Sequence, residues 1–255
     1  MKVTFLGTGT SQGVPVIGCK CNVCTSLDFR DNRLRSSILV EMNDVHMVVD
    51  TGPDFRQQML RERVDKLDAV LFTHEHKDHT AGMDDIRSYN FSQKKDMPIY
   101  GRAKVLNQLK QEFSYIFSGR KYPGIPKVDL NELDGKPFKI AGNKIIPIEV
   151  MHHKLPVYGF RFGDFTYITD ANFISEDEKN KIKGSKIIVL NALQKEDHIS
   201  HYTLSEAIEL IKELNPEKGY LTHISHRLGL HMDVSKELPE NIEIAWDGLQ
   251  LSLND

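Results

Sequence analysis

Short apolar and β-branched runs recur along the chain at 2–6, 37–41, 46–50, 69–73, 144–150, 165–169, 186–190 and 242–246, and they read as strands. Two neighbouring pairs are joined by tight turns. Val40-Glu41-Met42-Asn43-Asp44-Val45 and Phe160-Arg161-Phe162-Gly163-Asp164-Phe165 predict antiparallel hairpins. Helical spacing falls between the runs. Over 203–214, Leu204, Ala207, Ile208 and Ile211 share one face, Thr203 and Glu206 offer a capping box, and Pro216 lies just beyond. A second helix is expected over 102–117, ending before Gly119, and a third over 79–88. Hairpins followed by helices that return onto sheet faces predict a layered α/β (α+β) protein with buried mixed sheets between helices.

At 255 residues the chain suits one large domain or two intimately packed halves. No repeat, low-complexity stretch or linker divides it, so a single domain over 1–255 is expected. The net charge of −3 argues against a generally basic surface that holds nucleic acid by neutralising phosphates, although a local patch is compatible with it. No apolar stretch approaches a bilayer span, and no membrane partner is expected. Residues 1–7 hold too few apolar side chains for a secretion signal, so the expected compartment is the cytoplasm, where thiols stay reduced. There, the three clustered cysteines Cys19, Cys21 and Cys24 make a poor disulfide framework and a good partial metal site.

The buried-strand pattern Ala69-Val70-Leu71-Phe72-Thr73 ends directly in His74-Glu75-His76-Lys77-Asp78-His79. Three imidazoles and a carboxylate within six residues suit zinc, iron or manganese. The spacing splits the set. His74 and His76 alternate and point the same way from an extended strand end, whereas Asp78 and His79 open the next helix and face a second position.

This His-x-His-x-Asp-His string resembles the signature of the metallo-β-lactamase superfamily, and the similarity runs from Gly7 to about Gly248. The resemblance implies a four-layer αββα sandwich and a hydrolase with two divalent cations. The family pattern asks for a later His, an Asp after a strand and a final His, and His152, Asp170 and His223 follow in that order. By this resemblance His74, His76 and His152 hold one cation, Asp78, His79 and His223 hold the other, and Asp170 bridges them. His153 competes with His152, and the His-x-Lys spacing of similar proteins favours His152. Asp50, in Val48-Val49-Asp50-Thr51-Gly52, has a counterpart in the family and either orients a ligand or serves as a plain turn residue.

Three further elements narrow the resemblance: Leu6-Gly7-Thr8-Gly9-Thr10-Ser11-Gln12-Gly13-Val14-Pro15 leading into Gly18-Cys19-Lys20-Cys21-Asn22-Val23-Cys24, then His198-Ile199-Ser200-His201, then Thr222-His223-Ile224-Ser225-His226. Together they are similar to the cyclic phosphodiesterases of phosphonate degradation, which open the cyclic phosphate of phosphoribosyl 1,2-cyclic phosphate. The similarity implies a structural zinc on Cys19, Cys21, Cys24 and His226, a set that suits zinc on chemistry alone. It also puts His201 beside the reacting phosphate, to protonate the leaving oxygen or stabilise phosphoryl charge. His198 is either a second substrate contact or a solvated loop residue. The implied catalytic residues are His201, Asp78 and Asp170, the catalytic ions zinc or manganese, and the partner a small phosphodiester. The implied chemistry is attack on phosphorus by a water ionised between the two cations.

Residues 100–126 hold Phe113, Tyr115, Phe117 and Tyr122 with Arg102, Lys104, Lys110, Arg120 and Lys121. They form either a lid whose cations meet substrate or a structural helix whose aromatics enter the core. Arg33, Arg35 and Lys154 are further candidates for a substrate phosphate. Among rival activities, a transfer-RNA 3′-processing endonuclease shares fold and metals, but the long Gly- and Lys-rich arm that holds RNA is not seen. Lactonase-type acyl hydrolysis and a non-catalytic metal-binding scaffold stand as alternatives, and the complete ligand set speaks against the scaffold. A flavin-linked oxygen reductase needs an added flavin domain for which the chain has no room. The sequence leaves the oligomeric state open.

Overall fold

The computed structural model describes residues 1–119 and 123–253. Its contacts divide the chain into two compact units. The first comprises Met1–Leu6, Ser37–Asp134 and Gln250–Asp255, and the second Gly7–Ser36 and Gly135–Leu249.

In the first unit, β1 (Lys2–Gly7), β2 (Ser37–Met42), β3 (Val45–Val49), β4 (Ala69–Leu71), β5 (Met97–Gly101), β6 (Val128–Glu132) and β14 (Gln250–Ser252) form a mixed sheet. Its order is β14-β1-β2-β3-β4-β5-β6. The hairpin expected at Val40–Val45 is β2–β3, with Ile38 opposite Val49. Its turn residues Asn43 and Asp44 both have positive φ (49° and 60°), which Asn and Asp tolerate and a right-twisted hairpin needs. From β3 to β6 the strands run parallel, so each connection must cross over the sheet. Helix α1 (Phe55–Glu62), then α2 (Lys77–Thr80) and α3 (Arg87–Gln93), then α4 (Ala103–Glu112) and α5 (Ser114–Phe117) supply those crossovers. Phe55, Met59, Leu106 and Leu109 join Val48, Val70 and Ile99 in one core. Burying each such large apolar side chain is worth about 1.5–3 kcal/mol relative to exposing it.

Two helices differ from the sequence reading. The helix expected over 79–88 breaks at Gly82, where an added Cβ would stand 2.2 Å from the Gly52 carbonyl oxygen. The Gly82 amide donates to the Thr51 carbonyl at 2.8 Å, so the chain is pinned to the turn after β3 instead of continuing its spiral. The helix expected over 102–117 breaks at Phe113, whose φ of −104° and ψ of 40° leave the helical region. Phe113 and Ile116 pack against the core, while Tyr115 is 42% exposed and donates to Asp84. Helices α4 and α5 of this segment thus pack onto the core of the first unit. Arg120, Lys121 and Tyr122 lie outside the described residues.

In the second unit, β7 (Phe138–Ile140), β8 (Asn143–His152), β9 (Leu155–Phe162), β10 (Phe165–Tyr167), β11 (Ile187–Asn191), β12 (Lys218–Thr222) and β13 (Ile242–Ile244) form another mixed sheet, in the order β13-β12-β11-β10-β9-β8-β7. Strands β7 to β10 meander antiparallel, and β9–β10 is the second expected hairpin. From β10 to β13 the strands are parallel, with crossovers through α6 (Glu176–Ile182), α7 (Leu204–Leu214) and α8 (His231–Ser235). Helix α7 begins at the Thr203–Glu206 capping box, worth about 1 kcal/mol. It buries Leu204, Ala207, Leu210, Ile211 and Leu214. Among the described residues no helix is long and apolar enough to cross a membrane.

Arg33 is 4% exposed and belongs to the frame of this unit, not to a substrate phosphate. Its Nη1 donates to Thr8 Oγ1 (2.8 Å) and the Ala245 carbonyl (2.6 Å), and its Nη2 donates to His231 Nδ1 at 3.2 Å. A guanidinium has no acceptor, so His231 must take that bond with a lone pair. Burial first, and then the Arg33 charge, push His231 from an ordinary 6.5 down to about 4. Between those values the unfolded chain binds a proton that the native state refuses. Stability therefore rises with pH across this window and is lost as pH falls through it. Replacing His231 by Gln, which accepts but does not titrate, is expected to flatten the fall in melting temperature between pH 6.5 and 5. An unchanged slope assigns the effect to other groups.

Candidate metal centre

In the first unit the site grows from the C-terminal ends of β3 and β4. Asp50 follows β3 with φ 66° and is fully buried. Its carboxylate accepts from Thr73 N (2.8 Å), Thr73 Oγ1 (2.8 Å) and His79 Nδ1 (2.7 Å). These bonds fix two rings. His79 spends its Nδ1–H on Asp50, which makes Nε2 its lone-pair atom. Thr73 has given its only proton to Asp50, so its oxygen accepts the Nδ1–H of His74 at 2.9 Å, and Nε2 is again the lone-pair atom.

His74 Nε2 lies 3.0 Å from His76 Nδ1, and His79 Nε2 lies 3.1 Å from Asp78 Oδ2. Two ligands bound to one zinc at about 2.0–2.1 Å stand roughly 3 Å apart when their bonds meet near a right angle. The unit thus presents two close pairs of side chains with separations that suit a cation, His74 with His76 and Asp78 with His79. His74 and His79 are buried, while His76 is exposed on one side.

In the second unit His152 ends β8, and its Nδ1 donates to the Ser200 carbonyl at 2.9 Å. His153 occupies the following turn, exposed, with φ 55°. Asp170 follows β10 with φ 55°, and His223 follows β12 with φ 56°; both are buried. A left-handed backbone at three non-glycine residues, Asp50, Asp170 and His223, costs on the order of 1 kcal/mol each and persists where surroundings over-determine it. Here it turns each side chain off its strand end. Asp170 Oδ2 accepts from Thr169 Oγ1 (2.7 Å) and lies 3.2 Å from His223 Nδ1.

The ring of His201 stacks 4.9 Å from that of His223 and lies 4.7 Å from His152 and 5.0 Å from His198. Its Nδ1 is 3.8 Å from Asp170 Oδ1 and makes no hydrogen bond among the described residues. Donor atoms of His152, Asp170 and His201 lie within 4.8 Å of one another. Burial, and then the neighbouring His223, push His201 down to about 3, so it stands as a neutral imidazole. His198 is exposed beside a cavity of about 230 Å³ that Gln12, Gln194 and Arg227 help to line. Lys154 is exposed in the β8–β9 turn, and Arg35 Nε reaches the Ser11 carbonyl at 3.3 Å.

The cysteines form a separate cluster in the same unit. Sγ atoms of Cys19, Cys21 and Cys24 lie 3.4, 3.4 and 3.5 Å from His226 Nδ1. A tetrahedral zinc with Zn–S near 2.3 Å and Zn–N near 2.0 Å sets those separations at about 3.5 Å. The donor set fits the ion. Backbone amides point at two of the sulfurs, Val16 N at Cys24 Sγ (3.3 Å) and Cys24 N at Cys21 Sγ (3.4 Å), though burial outweighs the Val16 amide and raises Cys24 to about 11. The Cys24 amide in particular lowers Cys21 to about 6.

The sequence reading missed the hydroxyls around these ligands. Its trace was a threonine directly before the residue at a strand end: Thr73 before His74 and Thr169 before Asp170.

Residues 46–224 match the Beta-lactamase superfamily domain. A crystal structure of a diphosphatase from the PhnP family is similar with a TM-score of 0.93 and 38% identity, covering 99% of this chain and 98% of that one. An octanoyltransferase of Porphyromonas gingivalis is 36% identical over 259 residues, which take in all of this chain and 52% of that protein. The chain spans about half the length of that relative. A ribonuclease Z of Listeria monocytogenes is 26% identical over 319 residues, covering 97% of each. The fold implies divalent metal ions, and the histidine and aspartate clusters have the chemistry to hold them. With a superfamily match over most of its length and a PhnP-family structure matched over nearly all of it, this chain belongs to the metallo-β-lactamase superfamily of hydrolases, within the PhnP family.

Proposed function

We propose that this protein hydrolyses a small, cyclic phosphodiester. His74, His76 and His152 hold one divalent cation, Asp78, His79 and His223 a second, and Asp170 serves both. The carrying observation is the double pair in the first unit, where one strand-to-helix turn offers His74 with His76 and Asp78 with His79 at ligand separations. The catalytic cations are zinc or manganese, both suited to imidazole and carboxylate. When bound, they supply Lewis acidity that ionises water near neutral pH and neutralises phosphoryl oxygens. A third ion, a structural zinc, occupies Cys19, Cys21, Cys24 and His226.

The residues then divide the work. Asp50 and Thr73 hold the rings of His74 and His79 so that Nε2 is the atom each presents. His201, a neutral imidazole, offers an N–H that hydrogen-bonds the leaving oxygen and stabilises the charge it gains as the phosphorus–oxygen bond breaks. The cavity beside His198, with Arg227 at its wall, suits the polar and anionic remainder of a sugar phosphate.

A small substrate is favoured over RNA. The ribonuclease Z match runs over 319 positions, more than the 255 residues present here, so that relative carries segments this chain lacks. The net charge of −3 points the same way.

The role of His201 is tested by leaving-group dependence. His201→Ala is expected to keep both catalytic cations and to slow opening of a sugar cyclic phosphate by roughly 10²–10⁴-fold. The loss should shrink on a nitrophenyl diester, whose leaving oxygen is already stable as an anion and needs less help from a hydrogen bond. Loss of metal, or equal impairment on both substrates, overturns this role.

A further inference from the structure

The Gly7-Thr8-Gly9-Thr10 element carries no ligand of its own, yet its backbone reaches the centre. Gly9 N donates to the Leu34 carbonyl at 2.7 Å, and an added Cβ on Gly9 would stand 2.8 Å from the Arg33 carbonyl oxygen. Only glycine permits that approach. It brings the Gly9 carbonyl onto Ser36, whose amide and hydroxyl both donate to it, at 3.0 and 2.9 Å. Ser36 Oγ then lies 3.1 Å from His223 Nδ1.

One proton assignment satisfies all of these contacts together. A serine hydroxyl owns one hydrogen, and a carbonyl oxygen can only accept, so the Ser36 hydrogen is spent on Gly9. Toward His223 the Ser36 oxygen can only accept. Thr169 repeats the arrangement. Its Oγ1 donates to Asp170 Oδ2 at 2.7 Å and lies 3.2 Å from the same His223 Nδ1. Asp170 Oδ2, itself 3.2 Å from Nδ1, is a third acceptor. On the other edge of the ring, Thr10 Oγ1 stands 3.3 Å from Nε2, where it donates to a lone pair.

We propose that Ser36 and Thr169 are positioning residues that lock the imidazole of His223 as its Nδ1–H tautomer, making Nε2 the atom it offers to a cation. Both residues are buried, so no water competes for their hydrogens. The device matches the one in the first unit, where Thr73 spends its hydrogen on Asp50 and accepts from His74. In neutral imidazole the wrong tautomer has no lone pair at Nε2, so each unlocked ring must switch tautomer before it can ligate. This inference rests on the reading of His223 as a cation ligand.

Two measurements test it, and neither uses turnover. In metal-free protein, nitrogen-15 NMR of the histidine rings should show His223 as the Nδ1–H tautomer. In Ser36→Ala/Thr169→Val it should become a mixture. Titration with zinc against a chelator should show binding at the second catalytic position weakened by roughly 10–100-fold in that double variant, the usual cost of losing such a partner. Thr169→Ser, which keeps the hydroxyl, should bind zinc like wild type, and the Cys19–Cys21–Cys24–His226 site should bind normally in every variant. An Nε2–H tautomer in wild type overturns the proposal, as does undiminished zinc affinity in the double variant. Thr169→Ser weakening zinc as much as Thr169→Val also overturns it. If the double variant does not fold, the wild-type tautomer and the two Thr169 variants decide. Protein that binds zinc as stated but cleaves no phosphodiester contradicts the proposed reaction alone.

Discussion

Asp170→Ala is expected to abolish hydrolysis, by roughly 10⁴-fold or more, as when a group acting within a unit is removed. Both catalytic cations should bind more weakly. The carboxylate is buried at a strand end on a left-handed backbone, accepts from Thr169, and faces His201 and His223. Its loss removes the ligand assigned to both ions and the anion that balances the rings. Asp78→Ala should behave differently, emptying chiefly one of the two positions. Metal analysis of the purified variants separates the two outcomes. Asp170→Ala with a full metal complement contradicts the bridging role.

His226→Ala is expected to remove one zinc and lower the melting temperature on the order of 10 °C. An ion present at 1,000 times its dissociation constant stabilises the native state by about 4 kcal/mol, and in a domain of this size each kcal/mol shifts melting by about 2–4 °C. The effect should spread to activity without emptying the catalytic pair. His226 lies in the loop that holds His223, and Ile224 ties that loop to Thr8 (2.8 Å) and Thr10 (3.0 Å). Releasing the cysteine end loosens the loop while leaving His223 itself present. A variant with its full zinc content and unchanged melting removes the structural role of the cluster.

The parts of this architecture that were legible in the sequence are those written in local periodicity. Alternation in His74-Glu75-His76 and the step to Asp78-His79 separated two side-chain pairs, whose nearest atoms lie 3.0 and 3.1 Å apart in the structure. The Thr203–Glu206 capping box and both hairpin turns were equally local. The breaks at Gly82 and Phe113 were not legible, because each depends on a tertiary approach. Gly82 bends away from its helix to meet Thr51 and Gly52, residues distant in sequence. Strand β6, Val128-Asp129-Leu130-Asn131-Glu132, escaped notice as a polar strand at the edge of its sheet. Arg33 misled because buried guanidinium groups are rare, and its partners Ala245 and His231 lie some two hundred residues away. The hydroxyl locks were hidden for the opposite reason: a threonine at the end of a strand is ordinary.

The most direct measurement is hydrolysis by protein of known metal content, offered a sugar cyclic phosphate and a nitrophenyl diester beside a lactone, a β-lactam and a 3′-extended transfer RNA. The expected result is opening of the cyclic phosphate by protein carrying two catalytic cations and one zinc at the cysteine cluster. Turnover of the lactone, the β-lactam or the RNA with both small diesters left intact would contradict the proposed reaction.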